Sequence, residues 1–405
     1  MKTFLALLTI GFAAVALASG IPTVTNVQLK QEQNRPVTIT YDLDLDAVVT
    51  VSLATNGVAV SGAHLQGMQG DLAKLVARGN GRSITWKPWK FWPEGGKITG
   101  EIVARVTAWP VESPAPYLVA DLTGAQAHRY YASEDALPGG VTNDMYRTTK
   151  MVFRKIPAAT ARYRAGAPAW EAGYVDAQSV HYVTLTNDFY LGIFPVTQGQ
   201  YATLLGSAAD NPSSTLGDNL PVDNLSGSAA GIPFSGYSTI GDNKVEASSL
   251  ISCARSKTGF GALHIPTQAE WEFAARAGSG DDRVYEGYNV NDVAWHAGNS
   301  QGKLQPVGLK KPNAWGLYDM FGNVWERTRE SFVRPQYTTD QVAPMVGSAD
   351  WNTGSTGGRQ ALVGGALDTP ADNICFASYM SGTNDAREFW TKAPGWGFRV
   401  MVPLK

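Results

Sequence analysis

The only thiols in the chain belong to Cys253 and Cys375. A thiolate is the strongest nucleophile and soft-metal ligand among ordinary side chains, so paired cysteines would bring redox or copper chemistry. In an oxidising compartment they could instead close a disulfide, provided their backbones approach. Both sit among apolar neighbours, Leu250-Ile251 and Ile374-Phe376, and that setting favours a third outcome, the plain buried thiol. His64, His128, His181, His264 and His296 are scattered without a His-x-x-x-His spacing, so no histidine metal site is indicated. Trp86, Trp89 and Trp92 could form an aromatic ligand platform, or they could be spent in core or inter-domain packing.

These residues need positioning elements. The chain of 405 residues, 44% hydrophobic and 17% charged, is long enough for two domains with ordinary cores. Its 43 glycines, 22 prolines and 12 tryptophans indicate a loop-rich fold in which aromatic residues supply much of the buried area. With 33 basic against 35 acidic residues and no basic run, it lacks the electrostatic footprint of a nucleic-acid partner. At the N-terminus, Lys2 precedes an apolar run from Phe4 to Leu17, and Ala16-Leu17-Ala18 offers small residues for cleavage. We read residues 1–18 as a signal peptide rather than an anchor, with no transmembrane segment after cleavage. Export places the mature chain in a secreted, periplasmic or cell-surface location.

From 21 to 109 the pattern is that of a small all-β sandwich. Val37, Ile39 and Tyr41 alternate with threonines, and Val49, Val51 and Leu53 alternate with Thr50 and Ser52, which predicts one buried and one wet face. Turn residues such as Asn56-Gly57 and Gly79-Asn80-Gly81 separate the runs. Residues 110–149, opening on a proline-rich stretch, read as a linker and connecting segment. Beyond 150 the sequence predicts short strands, a few helices and long loops. Thr197 with Gln200, and Thr267 with Glu270, have capping-box spacing at the starts of two helices. A further helix is expected from Val245 to Lys257, ended by Gly259.

Seven blocks occur in order after residue 150. They are FYLGIFPVTQGQY (189 to 201), NPS (211 to 213), LPVDNLS (220 to 226), IPTQAEWEFAARAG (265 to 278), PNAWGLYDMFGNVWERT (312 to 328), Gly364-Gly365 and GFRV (397 to 400). On these residues, 150–405 resembles the formylglycine-generating-enzyme, or sulfatase-modifying-factor, domain. The resemblance implies an α+β, C-type-lectin-like fold, here preceded by the sandwich.

In catalytic members of that family, two cysteines five positions apart follow the Gly-Gly block, bind copper(I) and oxidise a sulfatase cysteine to formylglycine with oxygen. Here Gly364-Gly365-Ala366 runs on to a single Cys375 with no partner at that spacing; Ala366 replaces the usual serine and Val363 the usual arginine. Cys253 matches a position where the family carries a structural cysteine. Copper is therefore not expected, and Cys375 is the one candidate for residual catalysis. The resemblance also places a structural calcium on the side chains of Asp319 and Glu326 and the carbonyls of Gly322 and Val324; the alternative is a pair of ordinary loop carboxylates. A family site supplied by an added histidine-bearing bundle has no counterpart.

Two functions follow. One is a non-catalytic module binding a protein or carbohydrate ligand, with Tyr379, Asn384, Arg387, Phe389 and Trp390 as the candidate surface. The other is a copper- and oxygen-dependent formylglycine-generating oxidase acting on sulfatase cysteines.

Overall fold

The computed structural model describes residues 20–31, 36–90, 101–167, 180–207, 211–231, 248–279, 285, 287–331, 341–343, 360–376 and 392–404. The signal peptide, Trp92 and the five residues of the candidate ligand surface lie outside them.

The N-terminal strands are β1 (Val24–Gln31), β2 (Val37–Leu43), β3 (Ala47–Thr55), β4 (Val58–Ala59), β5 (Gln69–Gly70), β6 (Lys74–Val76), β7 (Gly79–Trp86) and β8 (Ile102–Trp109). One sheet has the order β1-β2-β7-β5; in the other, β4 and β6 pair with β3 and β8 pairs along its length. In β2 the expected alternation holds, and Val37, Ile39, Tyr41 and Leu43 turn into the core with Ile84 and Trp86. In β3 it breaks at Thr50, expected to be wet but buried, because its hydroxyl accepts from Trp109 Nε1 at 2.9 Å. Asn56 and Gly57 both take positive φ (48° and 78°) at the β3–β4 hairpin, which the primed turn demands. The aromatic cluster divides: Trp86 is core, whereas Trp89 is exposed.

Within 110–149, read from sequence as connecting chain, β9 (Tyr117–Asp121) and β10 (Arg129–Tyr131) are strands. They join β11 (Lys150–Ile156), β14 (Phe189–Gly192) and β21 (Met401–Pro403) in a five-stranded sheet of order β10-β9-β11-β14-β21. Chain ahead of the Lys150 boundary thus enters the central sheet. Proline-rich chain carries carbonyls but few N–H groups, so its oxygens need donors from elsewhere. Lys155 Nζ supplies them at Ser113 Oγ (3.0 Å) and Pro114 O (2.7 Å), Tyr190 at Ala115 O (2.5 Å) and Arg154 Nη1 at Pro116 O (3.3 Å).

The central sheet is buried on both faces, so its strands read as apolar runs rather than as an alternation. Val119, Val152, Phe189 and Leu191 face one core with Trp271, Ala274 and Ala275 of helix α4; Leu118, Ala120, Met151, Phe153 and Tyr190 face another. The second core is closed by Tyr201 and Leu204 of α1 (Gln198–Leu205) and by Leu250, Ile251 and Ala254 of α3 (Leu250–Thr258). A short α2 (Gly227–Ala230) precedes α3. Thr197 and Gln200 form the full capping box at α1, as do Thr267 and Glu270 at α4 (Gln268–Arg276). Ser249 caps α3 and Gly259, at φ 76°, ends it. This is the α+β class expected from the resemblance.

Smaller sheets carry the motif blocks. Strands β12 (Arg162–Ala165), β13 (His181–Leu185) and β18 (Gln341–Ala343) form one. After a short helix α5 (Val290–Val293), β15 (Ala294–Trp295) pairs in parallel with β16 (Phe321–Gly322). In the third, β17 (Trp325–Ser331) lies between β19 (Gln360–Val363) and β20 (Trp396–Gly397). No helix among the described residues is long and apolar enough to cross a membrane.

The sandwich is pinned to the second unit by backbone bonds from Gly62 N to Asp135 O (2.6 Å) and from Tyr130 N to Ala73 O (3.0 Å). A Cβ on Gly62 would fall 2.3 Å from Leu137 O, closer than real contacts allow. Gly62→Val is therefore expected to loosen the docking, lowering the first calorimetric transition and separating the unfolding of the two units; a scan superimposable on wild type would refute the contact.

Candidate functional site

Three of the sequence blocks, 312–328, Gly364-Gly365 and 397–400, meet where β17, β19 and β20 come together. Glu326 on β17 pairs in register with Val363 of β19 and Gly397 of β20. Just beyond, Gly364 turns with φ 90°, and a Cβ there would lie 2.9 Å from Met320 O and 3.0 Å from the Trp271 ring. Only glycine lets the chain pass so close to that indole. Gly322 N donates to Gly364 O at 2.9 Å, which ties the 319–326 loop to the turn.

At the centre is a buried ion pair that sequence reasoning did not single out. Arg399, wholly buried, donates from Nε to Glu326 Oε1 (3.0 Å) and Oε2 (2.8 Å), and from Nη2 to Oε1 (2.6 Å). Its remaining donors reach Gly192 O (2.9 Å), Tyr318 O (3.0 Å) and Asp319 O (3.2 Å). Trp271 Nε1 completes the carboxylate with a 2.7 Å bond to Oε2. A signal was available: Arg399 is a charged residue inside the apolar run Gly-Phe-Arg-Val-Met-Val, and a charge in such a run is held by a buried partner.

The four residues expected to hold calcium are brought together, but their oxygens are largely engaged. Both Glu326 oxygens serve Arg399 and Trp271, and Gly322 O accepts from Val324 N at 2.8 Å. Asp319, in the left-handed region at φ 51°, takes a bond from Gly308 N on Oδ2 (2.6 Å), while its Oδ1 is buried without a hydrogen-bond partner. Burial pushes the Asp319 carboxyl up to about 6, against the pull of the Gly308 N–H and the Arg399 and Arg147 charges. A hard dication needs six or more oxygens, including freely available carboxylates. Only Asp319 Oδ1 meets that need among the expected carboxylate oxygens, so the donor set does not fit calcium. No group of three or more His, Cys, Asp or Glu residues suited to a metal occurs among the described residues.

The position after the glycines is apolar. Ala366 is buried with Trp325, Leu362 and Trp396, its N–H bonded to Thr369 Oγ1 (2.9 Å) and its carbonyl to Thr369 N (3.0 Å). Val363 is likewise buried. Cys375 is fully buried against Ala167, and its neighbours Ile374 and Phe376 belong to the core on the α4 side of the sheet. Cys253 is half-buried on α3, against the core on the other side, and neither cysteine is in a disulfide. Around this corner, Asp223 accepts from Ser214 N (2.9 Å), Ser214 Oγ (2.8 Å) and Gly395 N (2.7 Å). Arg327, held near Trp396 (5.2 Å to the ring) and bonded to Leu225 O (3.0 Å), is lowered by burial to about 10.

Residues 142–403 match the family described as "Sulfatase-modifying factor enzyme 1-like domain". The chain is 34% identical over 188 residues to "Chaperone protein LppX" of Paenibacillus barcinonensis, covering 38% of this chain and 66% of that protein. It is 30% identical over 142 residues to "Inactive C-alpha-formylglycine-generating enzyme 2" of Bos taurus (30% and 46% covered). It is also 30% identical over 131 residues to "Formylglycine-generating enzyme" of Thermomonospora curvata (29% and 40% covered). The matches thus span 66%, 46% and 40% of these relatives' own lengths.

Two outcomes test this geometry. Trp271→Phe keeps the ring but removes the donor to a buried carboxylate, and should cost about 1.5–3 kcal/mol in a denaturant titration. His264, whose Nδ1–H donates to Ile265 O at 2.8 Å, is lowered to about 3, first by burial and then by the Arg329 charge. The unfolded chain takes up this proton near pH 6.5, well above the folded chain. The contribution of neutral His264 is therefore complete above that pH and is lost progressively as pH falls below it. Stability measured between pH 7 and 4 should decline less steeply in His264→Gln than in wild type.

Proposed function

From the premise that the chain belongs to the sulfatase-modifying factor enzyme 1-like family through residues 142–403, we propose that it is an exported, non-catalytic binding module whose ligand is a protein or carbohydrate. The observation that carries this reading is the setting of the would-be reactive positions. Copper-thiolate oxidation needs two thiols converging on one accessible point. Here Ala366 and Val363 are buried among apolar side chains, Cys375 is fully buried, and Cys253 packs on the opposite face of the central sheet. That arrangement does not bring two sulfurs to one point.

A rigid core carrying long irregular loops suits recognition without catalysis. The relative named as a chaperone lends support to a protein ligand, and the relative named as inactive lends support to the non-catalytic half of the reading. An N-terminal signal ending at Ala18 supports export.

Incubation of the mature protein with copper(I), oxygen and a sulfatase-type CxPxR peptide, read by mass spectrometry, should leave the peptide cysteine unchanged. Formylglycine formation that disappears in Cys375→Ser would overturn the reading. Expressed in an export-competent host, the mature chain should begin at Ser19 on N-terminal sequencing; recovery only with Met1 or Lys2 attached would remove the export half of the proposal.

A further inference from the structure

We propose that Arg399 does in this protein the structural work that the resemblance assigns to calcium, its guanidinium gathering the oxygens of the 318–326 loop so that the loop folds without the metal.

The coordination is what a structural cation would make. One buried positive centre contacts five oxygens from three separated stretches: Gly192 O, Tyr318 O, Asp319 O and both oxygens of Glu326, at 2.6 to 3.2 Å. It neutralises Glu326, which is 1% exposed and could not remain charged alone. A dication bound at Glu326 would have to lie against this buried guanidinium, where the low-dielectric surroundings make like charges repel strongly.

The rest of the loop is also fixed by protein groups. Asn323 N donates to Trp295 O (2.8 Å), and its side chain exchanges bonds with Gln305 N (3.0 Å) and Gln305 O (2.9 Å). Gly322 is bonded through N to Gly364 O and through O to Val324 N. Asp319 is anchored by Gly308 N and sits within range of two positive charges, Arg399 and Arg147. The unpartnered Oδ1 of Asp319 is then one oxygen beside existing cations, too little for a calcium site.

The inference is independent of whether the protein is an enzyme. Its first test is thermal unfolding of the mature full-length protein after exhaustive chelation, without and with saturating calcium. A ligand that binds only the native state must raise the melting temperature, so the expected curves coincide; a calcium-dependent rise that Asp319→Ala abolishes would overturn the proposal. The second test exchanges the cation for a side chain of similar reach. Arg399→Met should lower the melting temperature sharply, and Arg399→Met combined with Glu326→Gln should recover part of the loss because no buried charge is stranded. Melting of Arg399→Met at the wild-type temperature would show that the guanidinium does not hold the loop. If Arg399→Met fails to fold, the double variant and the calcium titration of wild type still decide the question.

Discussion

The Arg399–Glu326 pair is the one interaction from which the architecture of the second unit can be followed outwards. A carboxylate and a guanidinium this deeply buried have each lost a hydration shell worth many kcal/mol, and only near-complete hydrogen bonding compensates. All three nitrogens of Arg399 are engaged: Nε and Nη2 on Glu326, Nη1 on Gly192, and Nη2 again on the 318–319 carbonyls. Removing one partner of such a pair typically costs about 3–5 kcal/mol, because the other charge is stranded. The pair joins strand β14, the 318–326 loop and β17, and through Trp271 it joins α4. Its neighbours inherit tight positional requirements: α4, capped by Thr267, carries the indole that reaches Glu326, and the chain beside that indole must be glycine at 364.

That dependence runs into the cores. Trp271, Ala274 and Ala275 present one face of α4 to Val119, Val152 and Leu191, so the helix that orients the ion pair also seals one side of the central sheet. On the other side α1 and α3 cover Met151, Phe153 and Tyr190. Strands β9 and β10, on one side of the sheet, come from chain that precedes the blocks of family resemblance, and the sandwich docks next to them through Gly62 and Ala73. Lys155 and Arg154, which hold the proline-rich approach to β9, project from β11 at the middle of the same sheet.

Local signals were legible in the sequence where the physics is local. Capping boxes at Thr197 and Thr267 and the Gly259 stop depend on residues within one helical turn, and the structure has all three. Alternation in β2 was equally plain, since one face of that strand meets solvent. Tertiary demands were not legible in that way. Thr50 is buried by a tryptophan far along the chain, and β9 and the Met151–Phe153 run of β11 are buried on both faces, so they carry no period-two pattern. The motif blocks identified which residues gather at the 319–326 loop, but not which oxygens would be left over. Glu326 faces the guanidinium of Arg399, and that placement goes with β20 pairing with β17, a contact between distant parts of the chain.

The Gly-Gly block shows how a motif can be required by the fold independently of any chemistry. Gly364 is demanded by Met320 O and the Trp271 ring, and its positive φ by the turn out of β19. Both demands come from the scaffold that the ion pair holds, and neither involves a thiol, a serine at 366 or an arginine at 363. With Ala366 closed over by Trp325 and Trp396 and its backbone satisfied by Thr369, the turn is complete as a piece of packing. Sequence identity in such blocks therefore reports on the fold more directly than on the reaction. For this chain the reaction has to be judged at Val363, Ala366 and Cys375, all three buried, with Ala366 and Cys375 packed against apolar neighbours.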